Sequence, residues 1–454
     1  MSVLLNKIKI CLAGVALLVL LGSVCAQTQP PPMHEPVSAS VSKYLDQVQG
    51  KTANELVDLA LTNNADLAAM RKEAEAAEAM IRQARLRPNP GIEARGTRQI
   101  NGMDNSLMVE GSLPLELGGR RNARIRVAER ELDVRRAAVA EQERQLAFDV
   151  RSKFGESLAA ALKLKLLEEM LGSAIENIEL VTAQVTEGRR PPLDESMQTV
   201  ELNRLRALRE TSEATLQIRM LELRNLVGMA PEEPLKLRGD FENLVASLPP
   251  QNIATEQALQ SRPDLLGARA VEQLAAARVE QARTEGRVDA DVMAGYQRMR
   301  SGFPLLGIEP DTGALLPIDT KMHFFTFGVK LNLPTRNRNQ GAIESAILEQ
   351  AAARNRREFG ELTIRREVAA AYARYNGAAR AMEIYRVGVR DQAAANLDVV
   401  RQTYELGSKT LLDYIAEHHR FIDVENGYID AMFETYLARL EILRATNAPE
   451  LENK

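Results

Sequence analysis

Leu107-Met108-Val109-Glu110-Gly111-Ser112-Leu113-Pro114-Leu115 carries Leu107, Val109, Gly111, Leu113 and Leu115 at its odd positions and Met108, Glu110, Ser112 and Pro114 at its even ones. A period of two marks a strand with one apolar and one polar face. At a fixed offset, Phe325, Phe327, Val329, Leu331 and Leu333 alternate with Phe324, Thr326, Gly328, Lys330 and Asn332, so the same face is apolar twice. Each stretch leads into a segment without proline, from Pro114 to Pro191 and from Pro334 to Pro449, rich in Ala, Leu, Glu, Arg and Gln. These are strong helix formers. A helix from about Gly119 to Thr186 extends on the order of 100 Å at 1.5 Å per residue, as does its counterpart from about Asn337 to Glu405. No local core accommodates such lengths, so the helices must pack laterally against similar ones.

Weaker alternation precedes each strand: Ile92, Ala94 and Gly96 against Glu93, Arg95 and Thr97, then Ala290, Val292, Ala294 and Tyr296 against Asp289, Asp291, Met293 and Gln297. Two hairpins follow, joined by Gln99 to Asn105 and by the longer stretch Arg300 to Lys321. Four strands of about 10 residues suit a tilted crossing of an outer membrane, but a barrel needs about eight. Closure then requires other copies of the chain; three supply about 12 strands and leave no open edge. A small soluble sheet packed on helices is the alternative.

The duplication extends beyond the strands. Leu61, Asp66, Leu67, Arg71, Ala77, Ala79, Gln83, Ala84 and Arg85 recur at one offset as Leu259, Asp264, Leu265, Arg269, Ala275, Ala277, Gln281, Ala282 and Arg283. Such self-similarity defines the structural unit: helix, strand, strand, long helix, turn, helix. The long helices end at related turns, Glu187-Gly188-Arg189-Arg190-Pro191-Pro192-Leu193-Asp194 and Leu406-Gly407-Ser408-Lys409-Thr410-Leu411-Leu412-Asp413. The glycine lets the backbone leave the helix at positive φ, and the aspartate suits the positive end of the returning helix. Capping accounts for both aspartates; a constriction, where symmetry multiplies each into a cation-attracting ring, accounts for them equally. The mixed seam of Leu158, Leu162 and Leu166 with Ala159 and Ala161 fits a helical barrel better than a narrow coil. A coiled-coil rod leaves the hairpins unexplained.

Lys7 and Lys9, an apolar run from Ile10 to Val24, and small residues up to Ala26 read as a secretory signal over residues 1–26. An uncleaved anchor is the other reading. Both cysteines, Cys11 and Cys25, lie in this segment, so the mature chain has no disulfide or thiol nucleophile; Cys25 is alternatively a lipidation site, although Val24 is bulky for one. Beyond the signal no apolar run reaches the roughly 20 residues of a transmembrane helix, which leaves a closed barrel as the only way across a membrane. The absence of Trp and the 4% aromatic content are unusual for a barrel. Net charge is −4, which offers no case for nucleic-acid binding.

The repeated Asp-Leu helix, Pro114-Leu115-Glu116-Leu117-Gly118-Gly119-Arg120-Arg121 and Tyr404 to Asp413 carry a resemblance to the TolC-like trimeric outer-membrane efflux proteins, over essentially the whole mature length. Within it, Leu115 to Arg121 and Leu331 to Ile343 most resemble the heavy-metal cation branch typified by cobalt, zinc and cadmium resistance systems. The resemblance implies a mainly α fold with a small β part: a trimeric outer-membrane β-barrel, four strands per protomer, continued by a long α-helical barrel. Residues 27–454 then form one domain of two interleaved repeats, about 52–228 and 255–446. It further implies a homotrimeric exit duct without catalysis or cofactor, served by a periplasmic adaptor (membrane fusion) protein and an inner-membrane proton-driven pump of the resistance-nodulation-division type. Tyr404, Lys409 and Asp413, with Asp194 as first-repeat counterpart, fall at the family's periplasmic gate. Ala416 stands where a second gate carboxylate can occur, which weakens any aspartate ring. Gly188, Arg189, Leu193, Gly407, Ser408 and Leu412 are the adaptor-contacting helix tips.

Arg120, Arg121, Arg124, Arg336 and Arg338 form a basic cluster after the strands, expected to meet lipid phosphates or neighbouring chains, or simply to be solvated. Among the histidines His34, His323, His418 and His419, none makes a ligand pair at helical spacing, so no metal site is expected. His418 and His419 read as surface or packing residues, and His323 as lying near a strand end. Gln29 to Pro36 and Met229 to Ile253 are expected as a belt around the helices. Organic compounds as cargo, or an envelope coiled-coil scaffold without a pore, are the competing functions.

Overall fold

The computed structural model describes residues 40–241 and 248–448. The signal segment, Cys11, Cys25, His34 and the stretch 29–36 lie outside the described residues, as does part of the second belt segment. Copy one comprises α1 (Ala53–Asn63), α2 (Ala65–Arg85), β1 (Gly91–Arg98), β2 (Asn105–Pro114), α3 (Arg120–Thr186) and α4 (Pro192–Val227). Copy two comprises α5 (Gln251–Ser261), α6 (Pro263–Glu285), β3 (Asp289–Ile308), β4 (Leu315–Asn332), α7 (Gln340–Ile384), α8 (Arg390–Glu405) and α9 (Leu411–Thr446).

The duplication is visible in single bonds. Arg71 of α2 donates to the Leu61 carbonyl at 2.9 Å and pairs with Glu143 of α3 at 2.6 Å. Arg269 of α6 donates to the Leu259 carbonyl at 3.2 Å and faces Glu361 of α7 at 3.9 Å. At each break between short helices one residue closes the first and opens the second in extended conformation, Asn64 in copy one and Arg262 in copy two. Asn64 caps α2 through the Leu67 N–H and donates to the Leu226 carbonyl at the end of α4, 3.2 Å away. Arg262, buried, reaches the Ala445 carbonyl at the end of α9 at 3.2 Å and pairs with Asp264 and Glu367.

The four strands form one antiparallel sheet in chain order, β1-β2-β3-β4. Its second hairpin is longer than expected. Most of the stretch assigned to a connection, Arg300 to Lys321, continues β3 and β4, and only residues 309–314 turn. Gly302 and Pro304 gave that stretch its loop-like appearance; a register shift between Gly302 and Leu306 accommodates them, as proline, with no N–H for the ladder, requires. His323 therefore sits within β4 and touches the Tyr296 hydroxyl. The apolar face turns outward: Phe325 is 75% and Phe327 81% exposed.

The long helix of copy one runs unbroken for 67 residues. Its counterpart does not: α7 gives way to a π-helical turn at Tyr385–Val389 before α8. The main core lies halfway along the helices, where Val150, Phe154 and Leu158 of α3 meet Met220 and Leu223 of α4 and Tyr436 of α9. Leu158, Ala159, Ala161 and Leu166 of the expected seam are buried. Leu237 of the second belt segment is fully buried and bridges Leu45 and Lys51.

Candidate functional site at the helix tips

Two helical hairpin ends, α3/α4 and α8/α9, form the tip of the molecule, each built by the same local rule. Gly188 (φ 73°) and Gly407 (φ 77°) take the left-handed conformation. Arg189 N–H returns to the Gln184 carbonyl at 2.8 Å, and Ser408 N–H to the Thr403 carbonyl at 3.0 Å, the closure that satisfies the last carbonyls of a helix. The starts of the returning helices differ. In copy one Pro191 and Pro192 set the backbone for α4. In copy two the Thr410 side chain accepts from the Asp413 N–H, while the Asp413 carboxylate accepts from the Thr410 N–H at 3.0 Å, a reciprocal cap. The Thr410 hydroxyl, then its N–H, hold the Asp413 carboxyl below the usual range.

Across the tip, Arg190 of the first turn lies over the ring of Tyr404 in α8, 4.2 Å from its centroid, and donates to its hydroxyl. The same guanidinium faces Asp194 at 3.5 Å. Tyr404 is buried, and burial raises its hydroxyl above the ordinary value. It stacks on Tyr414 of α9, centroids 5.6 Å apart and planes within 7°. Asn177 of α3 donates to the Tyr414 hydroxyl at 3.1 Å, and the buried His418 ring follows 6.0 Å beyond Tyr414. One column of planar groups, Arg190, Tyr404, Tyr414 and His418, thus joins the two hairpins.

Of the expected gate residues, the structure brings Tyr404 and Asp194 together through Arg190. Lys409 and Asp413 stand apart from them, exposed. Arg190 carried no assigned role in the sequence reading, although the spacing of Arg190 to Asp194 matches that of Lys409 to Asp413. The expected adaptor contacts Gly188, Arg189, Leu193, Gly407, Ser408 and Leu412 are all exposed, Leu193 and Leu412 as equivalent apolar side chains, 65% and 62% exposed. Ala416 is exposed. His419 contacts Glu201 of α4 at 2.8 Å, while His418 packs in the column.

Three arginines of the basic cluster have partners within the chain. Arg120 pairs with Asp289 at 2.6 Å and donates to the Thr284 and Glu285 carbonyls, closing α6. Arg121 donates to the Arg85 carbonyl, and Arg124 to the Ala84 and Leu86 carbonyls and to Glu116, closing α2. These three cations serve the negative ends of neighbouring helices within the chain. Arg336 and Arg338 are exposed. No helix among the described residues is long and apolar enough to cross a membrane, and no group of three His, Cys, Asp or Glu side chains there is placed to hold a metal ion.

Residues 56–229 and 254–448 match the model of the outer membrane efflux protein family. The chain belongs to that family. Its members are channel and efflux proteins of the outer membrane, and this chain is an outer-membrane efflux channel protein with its helices in the periplasm. It is 26% identical, over 87% of its length and 89% of the relative's, to the cobalt-zinc-cadmium resistance protein CzcC of Cupriavidus metallidurans. Its backbone resembles CusC with a TM-score of 0.72 at 17% identity, covering 92% of this chain and 98% of that one. A membrane protein from Pseudomonas aeruginosa gives 0.70 at 21% identity, covering 87% and 92%. The open state of the Neisseria gonorrhoeae MtrE channel gives 0.67 at 18% identity, covering 87% and 89%. Membership sets aside the pore-free scaffold.

Proposed function

We propose that the protein is the homotrimeric outer-membrane exit duct for heavy-metal cations in a tripartite pump, with a periplasmic adaptor at its helix tips and an inner-membrane proton-driven transporter of the resistance-nodulation-division type as the energy source. The observation that carries the metal reading is the similarity to the cobalt-zinc-cadmium resistance protein across nearly the full length of both chains. The trimer is supported by the sheet: β1 and β4 each pair on one side only among the described residues, and three such sheets supply about 12 strands, enough to close a barrel in lipid. The duct is passive; it takes no cofactor, catalyses no reaction and binds no nucleic acid.

The tip acts as the gate. Arg190 holds Tyr404 and Asp194 in one cluster, so α8/α9 cannot swing from α3/α4 without breaking it. Lys409 and Asp413, one each per protomer, then face the axis, and Leu193 and Leu412 are apolar anchors for the adaptor.

The test is tolerance of a host with the gene deleted and restored. Sensitivity of the deletion strain to zinc, cobalt or cadmium alone supports the metal duct; sensitivity to dyes and antibiotics assigns organic cargo instead. In planar bilayers, Arg190→Ala and Tyr404→Phe should raise the open fraction of the purified channel; unchanged conductance overturns the gate.

A further inference from the structure

The outward face of the sheet changes chemistry at the end remote from the helices. Directly opposed residues point to the same side of a sheet, so the register fixes which side chains share that face. Along β3, Val292, Ala294, Tyr296 and Arg298 are exposed, while Met293, Gly295 and Gln297 between them are half-buried. The exposed series stands opposite Val329, Phe327, Phe325 and His323 of β4. From Leu331 to Phe325 this face of β4 is apolar and exposed. It ends on Tyr296 and Phe325, directly opposed with ring centroids 5.4 Å apart, an aromatic boundary of the kind that borders the apolar band of a barrel. Two basic rows follow immediately. Arg298 opposes His323, and Arg300 opposes Lys321. Arg98 shares the second row, across Asn105 from Arg300. Arg98, Arg298, Lys321 and His323 are exposed, and Arg300 is half-buried.

We propose that Arg298, Arg300 and Lys321, with Arg98 to one side, bind the phosphate groups of the phosphorylated glycolipid in the outer leaflet of the membrane. Opposed residues stand about 5 Å apart at Cβ, and successive residues of one face about 6.6 Å apart along a strand. Arg298, Arg300, Lys321 and His323 are thus the corners of one small block. Like charges directly opposite one another are destabilising, and the chain offsets them little. No carboxylate stands in either row; Asp319, one row further on, engages Arg300 at 2.5 Å. Glu93, Glu110 and Asp291 belong to rows of the opposite face. An external anion completes the block, because phosphate oxygens accept paired bonds from a guanidinium and a charge-assisted bond from an ammonium. A lipid suits it better than a soluble anion, since its acyl chains would lie on Phe325 and Phe327 while its phosphates reach the cations just beyond. With the helices in the periplasm, this end of the sheet is the external one. The inference rests on the proposed barrel only in taking the apolar face as the one that meets lipid.

The test is native mass spectrometry of the purified, detergent-extracted full-length protein with added bis-phosphorylated lipid A. Affinity should fall at least about tenfold in Arg298→Gln/Arg300→Gln/Lys321→Gln, a loss that one charge-assisted hydrogen bond accounts for. It should persist in Arg336→Gln/Arg338→Gln, at the opposite end of the sheet. Equal retention of lipid A by wild type and the triple variant, or none by wild type, overturns the site. Lipid A stripped of both phosphates gives a reading that does not depend on a variant folding: weaker retention by wild type supports the site, and equal retention overturns it. Displacement of lipid A by an equal concentration of inorganic phosphate marks a free-anion site and overturns the lipid assignment. Channels that conduct in bilayers while failing to retain lipid A remove this inference and leave the exit-duct reading intact.

Discussion

The two long hairpins follow one plan and differ in continuity. In copy one α3 runs from the membrane end to the tip without interruption, whereas in copy two the π turn at Tyr385–Val389 separates α7 from α8. The break is stapled from the far side: Arg390 pairs with the buried Glu425 of α9 at 2.8 Å and lies over the Tyr428 ring. A π turn is a rare single-turn insertion in an α-helix and recurs at functional sites. The difference teaches that copy one supplies the continuous helix and copy two the interrupted one, with its π turn between the sheet and the tip.

The largest effect should come from the helix breaks. Arg262→Ala strips a buried guanidinium from two carboxylates and a carbonyl, and should cost about 3 kcal/mol, the lower end for a broken buried pair because both acids are partly exposed. Asn64→Ala, its counterpart, removes a cap and should cost about 1 kcal/mol. Equal losses in denaturant titrations of the two variants would remove the asymmetry between the copies.

Next come two glycines that each press on a tyrosine. A Cβ on Gly155 of α3 would stand 2.6 Å from the Tyr436 ring, and one on Gly427 of α9 would stand 2.9 Å from the Tyr385 hydroxyl. Gly155→Ala lies in the rigid core and should destabilise by about 1–3 kcal/mol, the range for overpacking. Gly427→Ala faces the π turn, which can shift, and should cost less while speeding hydrogen exchange in α8. Slower exchange there would contradict a π turn that yields to the added methyl group.

A smaller effect separates the two tips. Thr410→Ala removes the cap of α9 and should cost about 1 kcal/mol, whereas the proline start of α4 offers no side-chain cap to remove. Melting of the variant measures it.

The smallest depends on pH. Burial, the first cause, holds the His418 imidazole below its ordinary value; Glu201 opposes the shift, and His419 and Arg204 add to it. The fold thus favours neutral His418, whose contribution is complete above the unfolded value of about 6.5 and is lost as pH falls through the lowered folded value. Acidification from about pH 7.5 to 5 should lower the melting temperature more in wild type than in His418→Asn; equal shifts would remove His418 from the column's pH response.

The legible parts were those with a local code. Alternation over Leu107 to Leu115 and Phe325 to Leu333 gave the faces of β2 and β4, and Gly188 and Gly407 gave the turns. The length of β3 and β4 was hidden by Gly302 and Pro304, whose local preference a bulge overrides. Arg120, Arg121 and Arg124 looked like free cations because the carbonyls they close belong to α2 and α6, between 36 and 165 residues away. Arg190 escaped for the same reason, its partner Tyr404 being 214 residues distant.

Sequence alone determined the duplicated unit, the outward apolar face, the great helix lengths and the glycine turns, because side-chain period, propensity and backbone freedom act over a few neighbouring residues. The tertiary structure alone decided the π turn, the aromatic column across the tip and the helix-closing arginines. Those depend on which distant carbonyl, carboxylate or ring comes within a few ångströms once the two copies have packed.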